Sequence, residues 1–202
     1  VLFAVAGLHG AFGEEGFAAA CAAYLGAISA DTSDGIVPLA AVEQLANLEA
    51  RSAEKLSRQE VNVEQKKANI AEARERVKLA IARLEGLLKL AVDSTAHRPN
   101  TERWSLLGSA HKSMAVVLRE GGEGWDKIRP ELKNARKAYA NGEGDPSAPD
   151  FNPYAMINRL QLDALLDTAP SNFATLVVQC QTAARRRFGK RFDFWDGVMT
   201  AD

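Results

Sequence analysis

The sequence predicts an all-α fold built from stacked antiparallel helix pairs. Three observations carry that prediction. Apolar residues recur at helical spacing between breaks rich in proline and glycine. No segment shows sustained alternation of apolar and polar residues, so essentially no sheet is expected. Small and aromatic residues also return at corresponding places in successive helices, which is the mark of a repeat.

The elements follow in order. The first helix is expected over residues 14–29, where Ala18, Ala19, Ala22 and Ala23 suit close packing. The cluster Asp31-Thr32-Ser33-Asp34-Gly35 then turns the chain. A second helix is expected over residues 38–56. Pro38 fits its first turn, where a missing N–H costs nothing. Leu45 and Leu48, with the alanines, give it an apolar face. The third helix is long, residues 61–92. It starts polar (Glu64, Gln65, Lys66, Lys67) and turns apolar through Val77, Ile81, Leu84, Leu87 and Leu88. Its early turns are expected to project into solvent or to meet a partner. Thr101, followed by Glu102 and Arg103, signals the start of a fourth helix that reaches residue 119. Gly121, Gly122 and Gly124 end it. A fifth helix is expected over residues 125–141, a loop over 142–149, and helices six and seven over 153–166 and 171–188. A short apolar stretch, Phe192 to Met199, is expected to cap the core.

Bulk composition sets outer bounds on function. The chain has 202 residues, 47% hydrophobic and 25% charged, with a formal net charge of -1. This is globular composition rather than disorder. So balanced a charge lacks the bulk electrostatics of a nonspecific nucleic-acid or membrane-surface binder. No apolar run reaches the ~18 residues that a membrane span needs. Cys21 and Cys180 lie far apart in helix-like apolar runs. They imply a reduced, intracellular and therefore cytoplasmic protein. The start has no basic segment, so no secretory signal is expected. Because the chain begins at Val1, it is read as one domain, residues 1–202, cut from a longer protein.

The fourth helix reads Trp104-x-x-Leu107-Gly108-x-x-His111. This resembles the helix-A signature of the tetratricopeptide repeat, with His111 where that pattern prefers Tyr. Trp104 and Leu107 share a face, and Gly108 lets the next helix approach. Helix-B positions are resembled by Ala20, Tyr24 and Ala27, by Ala135, Tyr139 and Gly142, and more loosely by Ala80, Leu84 and Leu87. Weaker helix-A matches are Val42, Leu45, Ala46 and Glu49, and Tyr154, Ile157, Asn158 and Gln161. The resemblance implies helix B of a first unit and then pairs over residues 38–92, 101–142 and 153–188. It implies a right-handed superhelix. The repeats are irregular: 27 positions separate Gly108 from Ala135, against about 12 in a unit of about 34 residues. Lengthened repeats explain this, and a generic helical bundle is the competing fold.

Residues 34–51, 101–115 and 152–166 are also similar to helical regions attached to caspase-like CHAT peptidase domains of bacterial multidomain proteins. That likeness implies a non-catalytic part, since nothing here matches the peptidase His/Cys pair.

Other chemistry is weaker. Gly7, Gly10, Gly13 and Gly16 recur around His9, but no Lys-Ser/Thr follows and no strand precedes them. The stretch therefore reads as a loop. His9, His97 and His111 lack metal-ligand spacing, and Asp31, Asp34, Asp145 and Asp150 lack that of a calcium loop. No metal and no cofactor are expected. Cys180 with His111 makes an imaginable nucleophile pair, but Cys180 lies in the apolar run 176–180 and reads as structural. Arg185, Arg186, Arg187, Lys190 and Arg191 alternate with Phe188, Phe192 and Trp195. They read as a cationic helix end with an aromatic cap rather than a nucleic-acid site.

The expected function is that of a non-enzymatic scaffold for a protein or peptide, including an attached peptidase domain, with no nucleic-acid or membrane partner. The inner face of such an array is lined by its A helices. The groove residues are then Glu43, Asn47 and Arg51 on one helix, Ser109 and Lys112 on the next, and Arg159 on the last. Asn47, Arg51, Lys112 and Arg159 are suited to clamping a backbone or a carboxylate. The bland alternative is a solvated helix face. Two other classes stand beside the scaffold: a small helical enzyme or ligand-binding bundle around a buried polar pocket, and a structural oligomerisation unit.

Overall fold

A computed structural model describes residues 16–30, 39–90, 101–146, 148 and 151–191. The described residues form seven helices and no strand: α1 (Phe17–Ala30), α2 (Leu39–Arg58), α3 (Val63–Leu90), α4 (Thr101–Glu120), α5 (Trp125–Glu143), α6 (Pro153–Leu165) and α7 (Phe173–Arg191). All seven expected helices are present. The expected cap over residues 192–199, the glycine loop around His9 and the loop holding His97 lie outside the described residues.

Local chemistry sets the ends. The Asn62 side chain accepts from the Gln65 N–H at 2.9 Å and caps α3. Asn152 does the same for α6, accepting from the Ala155 N–H, and Pro153 follows at the first helical position. At the end of α4, Gly122 takes a φ of 76°. The Gly122 N–H donates to the Arg119 carbonyl and the Glu123 N–H to that of Leu118, at 2.9 and 3.0 Å. These bonds satisfy carbonyls that the helix leaves open.

Packing makes two staggered rows. α2 touches α4 directly, and α4 touches α6. Behind them α3 packs on both α2 and α4, and α5 on both α4 and α6, while α1 lies on α2 and α7 on α6. Phe17, Ala20 and Tyr24 of α1 meet Ala41, Leu45 and Leu48 of α2. Ala46, Ala50, Ala80, Leu84, Leu88, Leu107 and Ala110 knit α2, α3 and α4. Ala115, Leu132, Tyr139, Ala155 and Leu162 continue the core through α5 into α6, and Met156, Leu160 and Cys180 carry it to α7. Alanines dominate the seams of α2, which lets its backbone lie close to its neighbours.

The 27-position gap has a simple cause. α4 runs on past Gly108 to Glu120, and α5 starts at Trp125. Helices of 20 and 19 residues do not fit a unit of about 34 residues. The pairs are lengthened, and the Gly108 and Tyr139 positions still meet.

Candidate binding groove

The row α2, α4, α6 presents a face that no other described helix covers. On α2 that face carries Gln44, Asn47, Arg51 and Arg58, all half-buried or exposed, on the side turned away from the buried alanines. On α4 it carries Glu102, Ser109, Lys112 and Val116, and on α6 Tyr154, Asn158 and Gln161.

Polar pairs tie these helices edge to edge. Arg103 Nε donates to Glu43 at 2.5 Å, and Ser113 Oγ to Glu54 at 3.2 Å, joining α4 to α2. Lys112 Nζ donates to Asn158 Oδ1 at 2.7 Å, joining α4 to α6. Ser109 Oγ lies 2.9 Å from the Tyr139 hydroxyl and 3.4 Å from that of Tyr154. Lys112 Nζ also sits 5.8 Å from the centre of the Tyr139 ring. Ser109, Lys112, Tyr139, Tyr154 and Asn158 thus form one hydroxyl, amide and ammonium cluster at the middle of the face. Burial pushes the Tyr139 hydroxyl far above its usual range, so it stays protonated as a donor or acceptor.

The expected groove residues divide between two settings. Asn47 is half-buried and Arg51 exposed on the free face of α2. The Arg51 guanidinium stacks over the Phe17 ring, 4.9 Å from its centre. Ser109 and Lys112 belong to the central cluster. Glu43 is spent on Arg103. Arg159 turns toward α5: Nε donates to Glu143 and Nη1 to Asp163, both at 2.6 Å, and its side chain is only 12% exposed. Burial works against its charge, but the Glu143 bond and both carboxylates hold its pKa above the ordinary value. Asp163 is fully buried and also takes a bond from Arg136 on α5.

Sequence spacing set Tyr154, Ile157, Asn158 and Gln161 on the helix-A face of α6. Here α6 is turned by about one position. Met156, Ile157 and Leu160 face α7, while Tyr154 and Asn158 reach α4. The fully buried Met156 and Leu160 decide this rotation. Tyr139, Tyr154 and Asn158 were missed as groove residues because their roles depend on which helices become neighbours.

The other candidates sit apart. His111 is buried and its Nδ1 lies 2.7 Å from Glu131 on α5. Cys180 is buried on α7 and donates to the Pro153 carbonyl at 3.0 Å. Burial pushes its thiol up to about 11. The two are not brought together. Arg185 and Arg186 are exposed, and the side chains of residues 187–191 lie outside the described set. Among the described residues, no group of three or more His, Cys, Asp and Glu is placed to hold a metal ion. Among them also, no helix is long and apolar enough to cross a membrane.

A family model described as "TPR-S: Tetratricopeptide Repeats-Sensor" matches residues 37–163, more than half of the chain. The chain belongs to that family. The match runs from just before α2 to Asp163, so the Tetratricopeptide Repeats-Sensor region contains α2, α4 and all but the last two residues of α6. α1 and α7 extend the stack at its two ends. No curated protein and no solved structure matches the chain closely enough to count as a relative. Tetratricopeptide-like repeats generally mediate protein–protein interaction.

Proposed function

We propose that this Tetratricopeptide Repeats-Sensor chain is a non-catalytic, cytoplasmic scaffold whose α2–α4–α6 face holds an extended segment of a protein partner. The observation that carries the reading is the unspent hydrogen-bonding capacity at the middle of that face. Lys112 gives one N–H to Asn158 and has two more to offer. Asn47 adds an amide suited to a peptide backbone, and Arg51 adds a charged fork. The partner is a protein segment, and in the fullest form of the reading it belongs to an attached CHAT-type peptidase domain. The likeness of residues 34–51, 101–115 and 152–166 to peptidase-linked helical regions supports that form. "Sensor" in the family description fits a scaffold that passes on its occupancy.

The test is capture of partners by the full chain, compared with Lys112→Glu and Asn47→Ala. Both sites are partly solvent-exposed, so thermal unfolding should hold near wild type. Lys112→Glu is expected to cut retention of the captured partner about tenfold, the cost of one lost charge-assisted hydrogen bond. Equal retention by wild type and both variants rejects the groove. Arg159 is unsuitable for this test. Reversing its charge sets three acids together with Glu143 and Asp163 and damages the fold.

A further inference from the structure

At the α2 end of the same face lies a pocket with a different chemistry. An open cavity of about 400 Å³ sits between the start of α1 and the end of α2. Phe17, Arg51, Glu54, Lys55, Arg58 and Gln59 line it. Three of these side chains are cations and one is an acid.

That acid is already committed. Glu54 takes Arg58 Nη2 at 2.8 Å on one oxygen and Ser113 Oγ at 3.2 Å on the other. The next acid along, Glu120 on α4, is held below its usual pKa chiefly by the bond from Arg119, with Lys66 and Arg58 adding to the effect. Among the described lining residues three cations meet one acid, and Arg58 answers that acid. Arg51 is the key group. Among the described residues no carboxylate pairs with it. Its guanidinium instead stacks on Phe17, a ring only 3% exposed. Stacking fixes the plane of the donor fork without neutralising its charge. A pre-set, unneutralised fork beside a second and third cation matches the planar, bidentate geometry of an oxyanion.

We propose that this pocket binds an oxyanion, the phosphate or carboxylate group of a ligand, with Arg51 as the fork and Lys55 and Arg58 as flanking charges. The pocket shares Arg51 with the peptide groove but uses neither Lys112 nor Ser109, so Lys112→Glu tells the two sites apart.

Calorimetric titration of the full 202-residue chain tests it. The probes are inorganic phosphate, pyrophosphate and succinate, at constant ionic strength. Saturable binding of at least one is expected, and the ranking tells phosphate from carboxylate. Arg51→Gln is expected to weaken it at least tenfold, with Arg51→Lys losing less because it keeps the charge but not the fork. Arg129→Gln, an exposed change on α5, controls for net charge and should bind as wild type. Lys112→Glu should bind the anion normally even where it loses the protein partner. No saturable binding of any probe overturns the proposal. Equal weakening by Arg51→Gln and Arg129→Gln also overturns it, since that is screening and not a site. Circular dichroism of each variant confirms that the helices are intact, and loss in Arg51→Lys alone of helix content shifts the comparison to Lys55→Gln, for which the same tenfold weakening is required.

Discussion

A methyl group at Gly108 has no room: an ideal Cβ there would lie 2.9 Å from three carbons of the Tyr139 ring. The ring is fully buried and held at its far end by Ser109, so it cannot swing clear without breaking a bond. Gly108→Ala is expected to cost about 1–3 kcal/mol in denaturant unfolding, the usual penalty of overpacking. An unchanged midpoint would show that α4 and α5 separate more easily than this contact allows. Cys180 makes a second residue-scale case. Its thiol is buried and pushed up to about 11, so it is a protonated, shielded group near neutral pH. Thiol labelling of the native chain should spare Cys180 and reach it only on unfolding. Gly108 was legible because its signature is local, three neighbours on one helical face. The partners of Ser109 and Lys112 were not, because Tyr154 and Asn158 stand 45 and 46 positions away and depend on how α6 turns.

Between elements, the helices are joined by charge as well as by alanine. Glu49 of α2 meets Arg83 of α3 at 2.6 Å, yet burial outweighs Arg83 and Arg76 and raises the carboxyl above its usual pKa. The folded chain therefore keeps this proton longer than the unfolded chain does. Stability linked to Glu49 is present in full below the unfolded value and falls as pH rises through the raised one. Glu49→Gln keeps an acceptor for Arg83 and removes that fall. Its unfolding midpoint should be at least wild type at pH 7, with the difference closing below about pH 4. Asp163 is held by more partners. It is fully buried and bonded by Arg136, Arg159 and Thr168 across the α5–α6 junction. Asp163→Asn takes the carboxylate from Arg136 and leaves Arg159 with Glu143 alone, and should cost about 3 kcal/mol, the low end for a broken buried pair. Spacing placed every helix, but matching Tyr154, Ile157, Asn158 and Gln161 to the helix-A signature set α6 one position off its wholly apolar face, Pro153, Met156, Ile157 and Leu160. The burial of Met156 and Leu160 against α7 fixes the rotation.

Across the whole molecule, a zigzag of helices touching only near neighbours has no single central core. Its stability is the sum of each pair and its junctions. The fold class was legible because each helix is bounded by its own caps and breaks, and pairing in chain order follows from short connections. The lengthening of the pairs was visible as the gap between Gly108 and Ala135. Its cause, longer helices rather than inserted loops, needed the ends of α4 and α5. This architecture makes the ends of the stack unequal to its middle. α4 packs on α2, α3, α5 and α6, whereas α7 packs chiefly on α6. The contacts of α7 rest on Cys180 with partly buried Phe173, Leu176 and Val177. Local opening takes the least-anchored unit first. In native-state hydrogen exchange, amides of α7 should open at a lower free energy than those of α4. Asp163→Asn should widen that gap, because it weakens the junction through which α6 and α7 are held to the rest, and should leave α2 and α3 nearly as protected as before. Equal protection in α4 and α7 would mean that the stack unfolds as one unit, with its stability shared evenly across the junctions.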